Sequence, residues 1–241
     1  MRNNYSVAAS AVLGISVGLG IVIAGFFGGN ALYKARAAER YVTVRGLAER
    51  IVDADLAIWP VTFRETENDL TKLQNKVDAN RKTIREFLVG AGFAEADISE
   101  SPVNITDFQA QAYIAEKEKR PYRYMAKATV TLRSDKVPLV KQTMEKSGEL
   151  VGKGIVLATE EYGQTAEFLY TALSKIKPEM VAQATQDARR AAEQFAKDSG
   201  SKVGGIRNAQ QGLFSIEDRD RYSPDRKNIR VVTMVQYYLK D

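Results

Sequence analysis

Hydrophobic and polar positions follow two different patterns along this chain. Residues 3 to 33 carry no charge, and Val7 to Phe27 reads VAASAVLGISVGLGIVIAGFF, 21 apolar and small residues in succession. After residue 40 the pattern is that of a domain folded in water, with periods of two and of about 3.6.

The leading run has the length a bilayer demands. A hydrocarbon core about 30 Å thick needs roughly 20 helical residues at about 1.5 Å each, whereas the apolar part of a signal peptide is usually about 7–15 residues. Residues 1–40 are therefore read as an anchor and linker, spanning at about 7–27. Two alternatives remain: a long cleaved signal peptide, since Ala35-Arg36-Ala37 has the small-x-small form of a cleavage site, and a buried helix of a soluble protein. Ser10, Gly14 and Gly18, then Gly25 and Gly29, form small-xxx-small faces suited to close helix pairing, although small residues are common in membrane helices anyway.

The soluble part, residues 41–241, alternates sheet and helix patterns. Tyr41–Arg45 begins a strand, with Gly46 as a bulge or a point of close approach. Asp55–Phe63 alternates as a second strand, and Pro60 places it at an edge or beside a bulge. Asn68 is positioned to cap a helix carrying Leu70, Leu73, Val77, Ile84 and Leu88, which Gly90 and Gly92 end. Two strands follow, 102–112 and 122–133. The second puts Tyr122, Tyr124, Ala126, Ala128, Val130 and Leu132 on one face. Ser134 caps a short helix with Val137, Val140 and Met144 inward, stopped by Gly148. Residues 150–161 return as a strand, and 167–173 run as an extended edge piece. Pro178 opens the longest soluble helix, through about Ser199. Its stripe of Val181, Ala184, Ala188, Ala191/Ala192 and Phe195 implies close docking on a sheet. Strands 203–216 and 229–239 close the domain around a solvated loop, EDRDRYSPDRK. The fold class is α+β: an N-terminal transmembrane helix, then a ferredoxin-like βαββαβ core with extra strands and one long helix.

Charge and composition narrow the function. Beyond residue 40 the chain holds 31 basic and 29 acidic side chains, a net charge of +2, and the two signs are interleaved. That pattern does not suit nucleic acid. The chain contains no cysteine and no histidine. Ser-His-Asp and Cys-His machinery and thiolate or imidazole zinc sites are thus excluded. Carboxylate, lysine and tyrosine chemistry remain, as do oxygen-ligand metal sites. Asp53/Asp55 and Glu65/Glu67 are the candidate carboxylate pairs, each at i,i+2, although acids at exposed strand ends are routine. Gly152-Lys153-Gly154 lacks the spacing of a phosphate-binding loop and reads as a turn. Trp59 and the tyrosines Tyr122, Tyr124, Tyr237 and Tyr238 read as packing residues.

Several stretches carry a resemblance. Val44-Arg45-Gly46-Leu47-Ala48-Glu49, Ala54-Asp55-Leu56-Ala57-Ile58-Trp59, Ile176-Lys177-Pro178-Glu179-Met180, Ala184-Thr185-Gln186-Asp187-Ala188-Arg189 and Val231-Val232-Thr233 resemble the SIMPL-domain family, and so does the helix 188–196 with Ser199-Gly200-Ser201-Lys202-Val203-Gly204. The likeness extends over essentially 41–241 and is weakest over 152–177. It implies a bacterial envelope protein, periplasmic or membrane-anchored, in a family with ring-like oligomers and suggested links to envelope or oxidative stress. It supplies no enzymatic residues.

The expectation is a non-enzymatic protein of the inner membrane, single-pass, with a periplasmic domain that acts by homo-oligomeric assembly or by binding. No catalytic, cofactor or metal residues are assigned, and any small-molecule ligand is unknown. The alternatives are an envelope hydrolase or lyase using Asp53, Asp55, Glu65 or Glu67, and a cytoplasm-facing tethered module. The latter follows from flanking charge: Arg2 precedes the span, while Lys34, Arg36 and Arg40 follow it.

Overall fold

A computed structural model describes residues 4–37, 40–110, 121–158 and 166–240. The elements are helix α1 (Asn4–Ala37), strands β1 (Tyr41–Asp53) and β2 (Leu56–Glu67), helix α2 (Leu70–Gly90), strands β3 (Ile98–Glu100), β4 (Asn104–Asp107) and β5 (Tyr124–Ser134), helices α3 (Val137–Glu145) and α4 (Gly148–Gly152), strand β6 (Glu167–Leu169), helix α5 (Leu173–Asp198), and strands β7 (Lys202–Asp218) and β8 (Arg226–Lys240). They divide into two compact units. The first holds the chain up to Glu49, Lys177–Phe214 and the residues from Arg230 on; the second holds Arg50–Ile176 and Ser215–Ile229.

The second unit is the expected βαββαβ arrangement. Its strand order is β3-β5-β2-β6, with β4 also on β5, and the pairs are antiparallel. The alternation along β5 buries Ala126, Ala128, Val130 and Leu132, which meet Leu73, Val77, Ile84 and Leu88 of α2 in one core with Phe63 and Trp59. Thr62 and Thr129 face each other in register and share a hydroxyl bond of 2.9 Å, so these polar groups carry no unmet demand.

Pro60 obeys its constraint in a local form. β2 lies inside the sheet, but its second neighbour is broken: β6 covers only residues 56–58, and the segment 155–158 joins at Thr62 and Arg64. By the period of two, Pro60 faces that same side, at the gap where no amide is required.

Several boundaries differ from expectation. Asp69 caps α2, its carboxylate accepting from the Lys72 amide at 2.8 Å. Asn68 instead accepts from the Arg123 amide, and Leu70 is exposed. The strand expected over 102–112 is only β4 among the described residues, preceded by the short β3. Ser134 ends β5 and its hydroxyl takes the Lys136 amide, so it does not cap α3. Thr143 is buried on that helix as well, and Met144 is half-buried against the core as expected. Residues 148–152 form a helical turn rather than a helix stop and a strand, and Gly154 turns at a φ of +88°. Only 155–158 follows β2, and 159–161 lie outside the described residues. A short apolar run such as Leu150-Val151 fits helix and strand equally by sequence. α5 begins five residues before Pro178, because the carboxylate of Asp55 accepts from the amides of Thr171 and Ala172 just ahead of it. A remote carboxylate near the helix start thus displaces the local proline signal.

In the first unit, α5 packs on β1 and β8. Met180, Ala184, Ala188, Ala192 and Ala196 are buried at a spacing of four, whereas Phe195 is exposed. A side chain added at Gly46 would put its Cβ 1.9 Å from the Ala184 carbonyl oxygen and 2.4 Å from the Ala188 amide nitrogen. Gly46 is therefore the point of close approach, and the alanines opposite let the helix backbone reach it. On β8, Ile229, Val231, Thr233, Val235 and Tyr237 are all buried, as the alternation requires.

Candidate functional site

Each of the four carboxylates raised by the sequence has a structural partner. Asp53 lies 3.5 Å from Arg226. Asp55 holds two backbone amides at 2.7 and 2.9 Å. Glu65 accepts from Asn80 at 2.6 Å. Glu67 bonds Lys76 at 2.8 Å and the Asn68 amide at 3.0 Å; these hydrogen bonds hold its carboxyl below the usual range despite some desolvation. Glu65 and Glu67 do share a face of β2, turned toward α2, as their spacing predicts. Asp53 and Asp55 do not converge: one ends β1 and the other sits in the bend before β2. Among the described residues no group of three or more acidic side chains is placed to hold a metal ion.

A cavity of about 410 Å³ in the second unit is lined by Asp53, Val137, Pro138, Lys141, Asp225 and Arg226, among others. Lys141 and Asp225 form an ion pair of 2.8 Å. Burial opposes the charged form of Asp225, but the bond from Lys141, a backbone hydrogen bond, and the charges of Lys141 and Arg226 outweigh it and hold the carboxyl below its ordinary value. Lys227, in the same charged stretch, is buried and paired with Asp218. The sequence reading missed both. Four acids and four bases in a row signal a solvated loop, and only the fold puts α3 beside two of them. In this cleft Asp53 and Asp225 are each paired to a cation, Arg226 and Lys141 respectively.

β7 is the other outstanding feature. It has 17 residues and forms the edge of the sheet β1-β8-β7. Glycine fits it to its neighbour: at Gly212 a Cβ would lie 2.6 Å from the Val232 carbonyl oxygen. The strand is open on both faces over most of its length, with Leu213 95% and Ile206 52% exposed. Asn208 to Phe214, NAQQGLF, contains no charge and no proline. Long exposed edges are ordinarily blunted by lysine, proline or a bulge, and this stretch carries none of those residues. It therefore offers a row of backbone donors and acceptors beside an exposed leucine.

α1 supplies a further surface. Its 34 residues extend about 51 Å at 1.5 Å per residue. The window Val12–Ala31 is long and apolar enough to cross a membrane and no part of it is buried. It overlaps the expected 7–27. By the same measures it also fits a signal sequence.

A family model described as "SIMPL: Protein of unknown function (DUF541)" matches residues 42–235, from the start of β1 to Val235 of β8. No curated protein matches the chain.

Proposed function

The chain belongs to the SIMPL family, and from that premise we propose that it is a non-catalytic, membrane-anchored protein of the bacterial envelope that assembles with copies of itself through β7. The observation that carries this reading is the uncharged, proline-free edge at Asn208–Phe214. Pairing it with a strand of a second copy satisfies its free backbone groups and buries Leu213. Full burial of one leucine contributes about 1.5–3 kcal/mol. The pairing is β-strand addition between identical chains.

Light scattering on the full chain in detergent tests this. The expected result is an oligomer that Gln211→Pro or Leu213→Lys converts to monomer. A monomeric parent chain, or an oligomer that both variants leave intact, refutes assembly through β7. In the latter case α1, with its glycine faces, is the contact.

The domain is proposed to face the periplasm, the side the family resemblance supports and the flanking charge opposes. An alkaline-phosphatase fusion after β8 should be strongly active in cells. An inactive, stably expressed fusion places the domain in the cytoplasm.

A further inference from the structure

The end of the first unit where β1 begins is rich in cations, and the chain holds it close to the bilayer. From Ala31, the last residue of the apolar window, six helical residues and four peptide steps lead to Tyr41. They reach at most about 23 Å, and a headgroup layer of about 6 Å takes part of that reach, so Tyr41 starts within about 17 Å of the membrane surface. The same end gathers distant parts of the chain. The Leu239 amide bonds the Arg40 carbonyl at 2.9 Å, and the Arg40 guanidinium donates to Ser201 at 3.3 Å. Close approach of Gly46 to Ala184 and Ala188, and of Val42 and Val44 to the alanines beyond, runs α5 antiparallel to β1. Its C-terminus therefore lies at this end too.

A cleft of about 340 Å³ opens there, between the last turns of α5 and the start of β7. Arg189, Lys197, Ser201 and Lys202 line it with Glu193, which Arg189 neutralises at 3.0 Å. The stem of Lys240 lies beside Gly204, where its Cε is 3.3 Å from an added Cβ. Among the described residues, no carboxylate lies within ion-pair distance of Lys197, Lys202 or Lys240. Arg207 covers the Tyr41 ring at 4.1 Å. Exposed aromatic groups accompany the charges: Phe195 is 61% exposed, and Tyr41 and Tyr238 are also open. Among the described side chains, six cations stand at this end, Arg40, Arg189, Lys197, Lys202, Arg207 and Lys240, against Glu193 and Asp198.

We propose that this end of the unit docks onto anionic phospholipid headgroups of the leaflet in which α1 ends, with Lys197, Lys202 and Lys240 against the phosphates. A surface of unpaired lysines with interspersed aromatic rings fits an interface that is negatively charged and half apolar. The cleft beside Ser201 has the charge and size for a phosphate group. Attraction of this kind is effective only within about 8 Å of the membrane at physiological salt, and the short linker keeps this end near enough to reach that range.

The inference rests on α1 being a membrane anchor, and the test separates the two. The full chain, which lacks cysteine, receives one label through Ser199→Cys and is placed in lipid nanodiscs. These contain phosphatidylcholine alone or mixed with phosphatidylglycerol, each with a headgroup-attached quencher. Quenching should be stronger with phosphatidylglycerol and fall at high salt, and free inorganic phosphate should not reproduce it in phosphatidylcholine. Lys197→Gln, Lys202→Gln and Lys240→Gln together should lower the docked-to-undocked ratio by about 100-fold, while the hydrogen exchange of α5 stays unchanged. Equal quenching in both lipids, or a lipid dependence that survives the triple substitution, overturns the docking. Failure of the chain to enter the discs overturns the anchor instead.

Discussion

Gly46→Ala is the most severe small substitution the first unit offers. The added Cβ would sit 1.9 Å from the Ala184 oxygen, 2.4 Å from the Ala188 nitrogen and 2.8 Å from the Ala188 Cβ. Two of these three atoms are backbone, so no rotamer change relieves the clash. Ordinary contact near 3.5 Å requires α5 to move away from β1 by roughly 1.5 Å. Such a shift loosens the contacts of Val44, Ala188, Ala192, Val235 and Tyr237, the core of this unit. Overpacking typically costs about 1–3 kcal/mol, occasionally more, and a clash between two backbones belongs at the upper end. About 3 kcal/mol corresponds to a fall in Tm of roughly 6–12 °C for a domain of this size. Thermal unfolding by circular dichroism reads the size of the loss. Hydrogen exchange locates it: amides of α5 and β8 should lose protection, and those of α2 should keep theirs. Gly205→Ala is the control, because nothing lies within 4 Å of its added Cβ. If both variants melt within a degree or two of the parent, close helix–sheet approach is not what fixes glycine at 46.

Two further outcomes follow from the carboxylates. Asp55→Ala releases the amides of Thr171 and Ala172 and should cost about 1–2 kcal/mol, as a lost helix cap does; faster exchange of amides at the start of α5 would show it, and unchanged exchange refutes the capping role. Asp225, Glu67 and Asp107 are held below their ordinary values, Glu67 and Asp107 chiefly by hydrogen bonds from Lys76 and Arg123, and Asp225 by Lys141 against the effect of burial. A depressed carboxylate contributes stability that is present above its unfolded pKa and lost as the pH falls through its folded one. Urea midpoints should therefore decline below the ordinary carboxylate range, and Asp225→Asn should make that decline shallower; an identical acid profile for the variant argues against the Lys141 pair.

Where regular periods were long, the sequence disclosed the structure. The alternation of β5 from Ala126 to Leu132 and the α2 stripe from Leu73 to Leu88 stand as read, because backbone geometry forces alternate strand residues and every third or fourth helical residue onto one face. Gly46 was legible as a close approach, since only a residue without a side chain suits one. Terminations were less so. Asn68 and Asp69 both suit a cap, and Pro178 suits a first turn but also tolerates the sixth position once Asp55 supports the chain ahead of it. The Lys141–Asp225 pair gave no sequence signal, because the partners are 84 positions apart and each resembles an ordinary surface charge.

The sequence alone determined that a long apolar helix precedes an α+β domain, and which face of each regular strand turns inward, because these depend on local composition and on the repeat of the backbone. Tertiary structure decided the rest. It set the Asp55 carboxylate against the amides just ahead of α5, left β7 as an open edge, moved the buried stripe of α5 onto Ala196 in place of Phe195, and gathered lysines from three elements beside the start of β1. Those outcomes depend on which distant segments meet, and a contact between remote residues leaves no period in the chain to be read.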